Sequence, residues 1–382
     1  MTSRMAVFAS TPDGGHPEYV AKLLSGVLSA AESLEVVWPV RSDRSSLSDD
    51  DPRIIFERGV IPSMPPRDGL SRWRWLVSRI NPMRRHDVGE LRWLYSQDKR
   101  FDVVLIQEVQ RFTLPLVVFL ALRKADRVIL HLHNVRRHDY RGSLFDRLDE
   151  VLLRIGLRIC SAVVVHSEKN RAFLVNQHGV RERVFVVPHG ITPAVETVRP
   201  APTPPVILFF GVNRKNKGLA VLVDAIRQMD ADVELHVAGF TGPAEWNETT
   251  QLLSSLPNVI WKHEFIDNAD VPEWFKRATV VALPYTTFEA QSGVMHLAME
   301  YGVPIVASDV GGLGETIRAW EIGIAVAPND PKALADALSV GVSEPLNLGF
   351  RENILKSHVH LDWDTIGERF GSILLHSGTA DG

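Results

Sequence analysis

Residues 279–312 constrain the fold of this chain more tightly than any other stretch. Thr279-Val280-Val281-Ala282-Leu283 is an apolar, β-branched run that reads as a buried strand, and Pro284 ends it. A polar loop follows, and a helix starts near Ser292. After Gly302 comes a second buried strand, Val303-Pro304-Ile305-Val306-Ala307, and then the turn Gly311-Gly312. Strand, loop, helix and strand in this order build a parallel sheet, in which the loops at the carboxyl ends of strands face the ligand. The helix opens with Gln291-Ser292-Gly293-Val294, which offers free backbone N–H groups, a hydroxyl and little steric bulk. Such a start attracts anions, because helix N-termini carry unpaired donors and partial positive charge. Glu289 stands on the lip of this site. The expectation is a bound diphosphate with a carboxylate beside whatever the diphosphate carries.

The same alternation runs through the rest of the chain. Buried strands are expected at 4–10, 34–38, 102–107, 127–133 and 161–166, with a shorter one at 53–56 and one at 184–191. Strands restart at 206–210, 233–238 and 259–265. Helical spacing covers 19–31, 112–124, 219–228, 271–277, 330–340 and 363–375. Residues 194–205 hold four prolines and no periodicity, and read as a linker. The expected division is therefore a first α/β domain at 1–193, the linker 194–205, a second α/β domain at 206–360, and a C-terminal helix at 361–382 that packs back toward the first domain. The fold class is α/β, with two Rossmann-like, doubly wound domains facing a cleft.

Composition bounds the function. With 45% hydrophobic and 23% charged residues, the chain is ordinary for a globular enzyme. A net charge of -4 gives no global attraction to nucleic acid. The lone Cys160 excludes an intramolecular disulfide, suits the cytosol, and lies in an apolar context that reads as core. No apolar run reaches the roughly 18 residues of a membrane span, and the first residues read as a strand rather than a leader. The location expected is the cytoplasm, at the inner face of the membrane.

Several loops carry candidate chemistry. Gly14 and Gly15 follow the first strand; they suit either a tight turn or a backbone that approaches a ligand closely. His131 and His133 share a strand face, and His133, at the carboxyl end, is the one placed toward the ligand, while His131 is placed in the core. Neither cysteine nor carboxylate spacing supports zinc there. Gly211-Val212-Asn213-Arg214-Lys215-Asn216-Lys217-Gly218 is not a Walker loop, but it puts cations at a strand-to-helix turn, which suits phosphate. Residues 67–100 hold nine Arg or Lys against four Asp or Glu, interleaved with Trp73, Trp75, Trp93 and Tyr95. Arg72, Trp73, Arg74, Arg84 and Arg85 suit an acceptor or an anionic membrane surface; a solvated helix pair with core tryptophans is the alternative. Asp49-Asp50-Asp51 reads as a solvated run rather than a metal motif.

On three segments the chain resembles the retaining glycosyltransferases of the GT-B fold, family 4. They are Phe209-Phe210-Gly211 through Lys217-Gly218, Leu283-Pro284-Tyr285 through Val294, and Gly302-Val303-Pro304 through Gly311-Gly312, with Val187-Pro188-His189-Gly190 before the linker. The resemblance implies a nucleotide-sugar donor on the second domain and a glycan, glycolipid or other acceptor on the first, with peripheral contact to an anionic membrane and no nucleic acid. It implies that Arg214 and Lys217 bind the diphosphate. Glu289 touches the donor sugar, and Gln291, Ser292, Gly293 and Val294 form the phosphate cradle. It places His133 near the transferred sugar and Gly14 and Gly15 on a loop that closes on the donor. Base contacts fall near Phe265 and Ile266, largely through backbone. No metal and no cofactor are expected, because Arg214, Lys217 and the helix start would stabilise the leaving diphosphate. Leu297 departs from the pattern: the family usually has a ribose-binding glutamate there, and Glu300 is three residues out of register. Val212 stands where an arginine is common. Two other functions share the architecture: a sugar-nucleotide epimerase, and a non-catalytic partner subunit of a glycosyltransferase.

Overall fold

The computed structural model describes residues 2–9, 16–31, 33–41, 51–61, 86–107, 113–133, 135, 144–198, 200–287 and 292–375. They fall into two compact units, Met1–Pro188 with Trp363–Gly382, and His189–Asp362.

Unit 1 runs β1 (Ser3–Ala9), α1 (His16–Ala30), β2 (Leu34–Arg41), β3 (Ile54–Ile61), α2 (His86–Ser96), β4 (Phe101–Gln107), α3 (Leu114–Leu122), β5 (Ala125–His131), α4 (Leu144–Ile159), β6 (Ala162–Val165), α5 (Glu168–His178) and β7 (Val184–Val186). The strands form one parallel sheet in the order β3-β2-β1-β4-β5-β6-β7. β4 and β6 are apolar and buried almost throughout, as strands covered on both faces must be. The order reverses between β1 and β4, and a doubly wound sheet opens its ligand crevice beyond the carboxyl ends at such a point.

The other segment of unit 1, the C-terminal helix, lies against α1. Gly26 and its partner let the backbones touch: a Cβ on Gly26 would sit 1.8 Å from the Trp363 carbonyl oxygen, and one on Gly367 would sit 2.0 Å from the Gly26 carbonyl carbon. The Trp363 ring meets Tyr19 at 5.2 Å, and Arg127 donates to the Leu374 carbonyl at 2.8 Å.

Unit 2 runs β8 (Val206–Phe210), a 3-10 turn (Lys215–Lys217), α6 (Leu219–Ile226), β9 (Glu234–Ala238), α7 (Trp246–Leu253), β10 (Val259–Lys262), α8 (Val271–Arg277), β11 (Val280–Leu283), α9 (Gly293–Glu300), β12 (Ile305–Ser308), α10 (Leu313–Trp320), β13 (Gly323–Val326), α11 (Pro331–Val342) and α12 (Leu346–Leu361). Its parallel sheet has the order β10-β9-β8-β11-β12-β13, so its reversal falls between β8 and β11. The helix at Trp363–Leu375, α13, then belongs to unit 1.

Several boundaries differ from the expected ones. The chain passes between units at Pro188/His189 and Asp362/Trp363, and residues 194–205 belong to unit 2. Proline suppresses regular structure in that segment, yet a hydrogen bond holds its first residue, Ala194 N–H donating to the Glu300 carbonyl at 2.9 Å, and another holds the chain just before it, Thr192 N–H donating to Glu300 Oε1 at 2.8 Å. β5 stops at His131, β7 at Val186 and β10 at Lys262, each before the end of the strand expected there. Trp93 is a core residue: 2% exposed, its ring lies 5.7 Å from Phe101 and 6.3 Å from Phe8, and its indole N–H donates to Glu57. Arg72, Trp73, Arg74, Arg84 and Arg85 lie outside the described residues. Among the described residues, no helix is long and apolar enough to cross a membrane.

Candidate functional site

In unit 2 the loops after β8 and β11 meet at the reversal of strand order. Gly211 N–H donates to Ala238 O at 2.8 Å and Asn213 N–H to Phe240 O at 2.8 Å, which ties the start of the loop to the end of β9. The buried Asn213 amide donates to Thr249 Oγ1 at 2.8 Å. The loop then forms the 3-10 turn and ends at Gly218, whose φ of +73° is left-handed. There a Cβ would lie 1.9 Å from the Pro284 carbonyl oxygen, so only glycine lets this loop approach the end of β11. Thr286 N–H donates to Asn216 O at 3.0 Å and completes the junction.

This junction places Lys217 over Tyr285. The ammonium stands 3.8 Å from the ring centroid, a cation–π geometry. Burial lowers the Lys217 pKa to about 8, and the neighbouring Arg214 charge adds to the effect. Arg214 is exposed. Two cations held close together, one partly desolvated, form a site whose charge an anion would relieve. Tyr285 is buried, its phenol pushed up to about 12 by burial, and its hydroxyl lies 3.1 Å from Ser292 Oγ.

Ser292 is the N-cap of α9: its Oγ accepts from Met295 N–H at 3.4 Å. Among the described residues, nothing lies within 4 Å of the place a Gly293 Cβ would take. Val294 comes within 3.6 Å of the corresponding position on Gly211. Arg214 and Lys217 therefore lie on the loop after β8, and Ser292, Gly293 and Val294 at the start of α9, which follows the other loop of this junction. Glu289 and Gln291 lie outside the described residues, as do Gly14 and Gly15 in unit 1. Phe265 and Ile266 lie on the loop after β10, the first 74% exposed and the second buried.

In unit 1, His133 sits two residues past β5, beyond the ladder, half-buried. His131, on the strand, is fully buried against Phe370 of α13. The structure adds His166, at the end of β6. Its Nδ1 lies 3.0 Å from Val187 O, and a carbonyl only accepts, so Nδ1 carries the proton. With both rings neutral, His166 accepts at Nε2 from His133 Nδ1, 2.9 Å away. That leaves His133 Nε2 as the lone-pair nitrogen, 3.3 Å from the Gln107 side-chain amide. A half-turn of that amide makes its buried nitrogen the donor to Nε2 and gives it the partner it otherwise lacks. Tyr19 stands edge-on to the His133 ring at 4.7 Å. Ring nitrogens of His131, His133 and His166 lie within 4.8 Å of one another, a set that a cation could use. The hydrogen bond accounts for the shortest of these approaches without one.

Tyr285, Asn213, Asn216, His166 and Gln107 were not singled out from sequence. For Tyr285 and His166 a signal existed, since each lies at or just beyond the carboxyl end of a buried apolar strand. Nothing in the sequence pairs Gln107 with His133. Glu300, three residues out of register for a ribose ligand, instead accepts the Thr192 N–H.

Comparison with known proteins follows the same outline. Residues 14–195 match the model described as glycosyltransferase family 4, and 204–342 match glycosyl transferases group 1. A D-inositol 3-phosphate glycosyltransferase of Xylanimonas cellulosilytica is 30% identical over 46% of this chain and 47% of its own length. A phosphatidyl-myo-inositol mannosyltransferase of Mycobacterium leprae is 25% identical over 85% of this chain and 83% of its own. The matching stretch spans about half or less of the first curated relatives. The solved structure of Anabaena HepE in complex with UDP superposes with a TM-score of 0.70 over 98% of this chain and 99% of that one, at 17% identity.

Proposed function

We propose that this chain, which belongs to the family-4, group 1 glycosyltransferases, moves a hexose-type sugar from a nucleotide diphosphate sugar to a glycan or lipid-linked acceptor, with retention at the anomeric carbon and without a metal. The observation that carries this reading is the junction in unit 2. There Lys217, beside Arg214, is held on the loop that Gly218 presses against Pro284 at the end of β11, eight positions before Ser292, the cap of α9. Breaking a sugar–phosphate bond builds positive charge at the anomeric carbon and negative charge on the departing diphosphate. Fixed cations and oriented N–H groups stabilise that negative charge as it forms, with no reorganisation at the moment of reaction.

Each remaining group has a role in this scheme. Arg214 clamps phosphate oxygens and Lys217 supplies a point charge. Gln291, Ser292, Gly293 and Val294 cradle the phosphates, Glu289 positions the sugar, and the backbone near Phe265 and Ile266 takes the base. His133 serves the transferred sugar, with its tautomer set by His166. Uridine is the base favoured for the donor, since the Anabaena structure holds UDP. An inositol-type or lipid-linked acceptor is favoured by the relatives' names, and the stretch with Arg72, Trp73, Arg74, Arg84 and Arg85 is proposed to face it at an anionic membrane.

A thermal-shift panel of UDP, GDP, ADP and TDP identifies the base, since a ligand at 100-fold Kd stabilises by about 2.7 kcal/mol. Turnover is then measured with the matching sugar nucleotides in the presence of a chelator. Transfer to an acceptor that persists with chelator and disappears in Arg214→Ala is the expected result. An epimerised donor with no acceptor present would overturn the transferase reading.

A further inference from the structure

The histidines of unit 1 sit at the ends of two paired strands, β5 and β6, and their far sides are as informative as the sides that meet. His133 Nδ1 and His166 Nε2 face each other at 2.9 Å. The outer nitrogens of both rings face oxygen: His166 Nδ1 the Val187 carbonyl at 3.0 Å, and His133 Nε2 the Gln107 side-chain oxygen at 3.3 Å. A neutral imidazole carries one proton. When each outer nitrogen donates to its oxygen, both facing nitrogens hold lone pairs, and two lone pairs this close repel unless a cation lies between them. A proton there is one answer, and it requires the Gln107 amide to turn. A metal ion is the other, and it takes the amide as it stands.

Metal-bound histidine ordinarily donates its second N–H to a carbonyl or similar oxygen, which fixes the tautomer and raises the basicity of the ligand. His133 and His166 both have that partner in place. His131 supplies a third ligand: its ring centre lies 4.6 Å from that of His133 and 4.8 Å from that of His166, and a nitrogen of each ring lies within 4.8 Å of the others. Tyr19 and Phe370 surround the His131 ring at 5.7 and 5.0 Å and keep that side apolar. The half-buried His133 leaves a fourth position for water or a hydroxyl. Three histidines and an open position suit tetrahedral zinc. Bonds of about 2.0–2.1 Å separate ligand nitrogens by roughly 3.4 Å, so the facing pair opens by a few tenths of an ångström and His131 closes on it. An all-imidazole set suits zinc, copper or nickel rather than magnesium or calcium. We propose that His131, His133 and His166 bind a late first-row divalent cation, Zn2+ foremost, and that the bound ion inhibits sugar transfer by occupying His133. The inhibition rests on the role proposed for His133. The binding rests on unit 1 alone, so its failure leaves the transferase reading standing.

The test is titration of the full chain, treated with chelator and dialysed, with Co2+ and Zn2+. Co2+ should saturate at one ion per chain with the strong visible absorption of a four-coordinate site, and Zn2+ should displace it. In Zn2+ calorimetry, His133→Gln and His166→Gln should each lower affinity by more than the roughly 10–100-fold that an outer partner of a ligand is worth. Gln107→Met removes only the oxygen behind His133 and should lower it by roughly 10-fold. His360→Gln, at an exposed histidine of unit 2, should leave affinity unchanged. Circular dichroism checks the fold of each variant; where one does not fold, the Co2+ spectrum of the parent chain decides. No stoichiometric binding by the parent, a weak octahedral spectrum, or an affinity unchanged in folded His133→Gln and His166→Gln would overturn the site. One equivalent of bound Zn2+ that leaves turnover untouched would overturn the inhibition.

Discussion

Lys217 gives the most direct test of the phosphate site. Burial, with help from Arg214, holds its pKa at about 8 in the empty site. It is then roughly nine-tenths charged at pH 7 and one-tenth charged at pH 9. A bound diphosphate favours the charged form, so its pKa in the complex lies above 8. The sign follows by linkage. Affinity for a nucleoside diphosphate is fully present below pH 8 and falls as pH rises toward the pKa of the complex, by about 10-fold at pH 9. Tyr285, pushed up to about 12, does not titrate in this window, and the terminal phosphate has already ionised near pH 6. Calorimetry at pH 7, 8 and 9, at constant ionic strength, reads the change. Repeating pH 8.5 in two buffers of different ionisation enthalpy should show uptake of a fraction of a proton on binding. Lys217→Arg keeps a permanent charge and should flatten the profile, while Lys217→Met should be weak at every pH. A flat profile in the parent chain, or an equal slope in Lys217→Arg, would refute the reasoning.

Other outcomes follow from the same junction and its surroundings. Gly218→Ala, with its Cβ driven into the Pro284 carbonyl at a φ of +73°, should cost about 1–3 kcal/mol in denaturant unfolding and weaken nucleotide binding with it. Ser292→Ala removes the α9 cap and should cost about 1 kcal/mol, read in the same unfolding assay, and lower UDP affinity in calorimetry. The thiol of Cys160, buried and pushed up to about 12, should not react with Ellman's reagent at pH 8 until the chain is unfolded. Glu300→Gln should lower the melting temperature while leaving the Kd for UDP within about 3-fold, because its carboxylate accepts a backbone N–H at 2.8 Å.

Most strands of the two sheets are legible in the sequence because a strand covered on both faces must be apolar throughout, and Val206–Phe210 shows it in full. β13, four half-buried residues at the end of its sheet, was not expected. Residue period also identifies Val271–Arg277 and Trp363–Leu375. α4 and α12 are harder to see. The outer face of α4 carries leucine where a solvated helix carries charge, and α12 buries Asn347, Arg351 and His358, so neither shows a clean polar side. The site follows the same division. Cations beside a glycine turn and a Gln-Ser-Gly helix start signal phosphate, since those residue types have few other uses at the end of a strand. The contact between Lys217 and Tyr285 spans 68 positions, and that between Gln107 and His133 spans 26; each exists only because neighbouring strands end side by side.

Glu300 shows why residue type in nearly the right place is weak evidence for a ligand contact. Leu297 stands at the position where a ribose-binding glutamate was expected, and a shift of three residues along a helix moves a side chain almost a full turn. At the end of α9, the Glu300 side chain meets the N–H of Thr192 and its carbonyl meets that of Ala194. The Ala194 bond reaches the first residue of the expected linker, 194–205, and the Thr192 bond falls two residues before it. Glu300 thus holds residues 192–194 against α9 through its carboxylate at Thr192 and through its backbone carbonyl at Ala194. The phosphate contacts proposed for Arg214, Lys217 and Ser292 do not depend on it, because the Gly218 junction and the α9 cap lie at the opposite end of that helix.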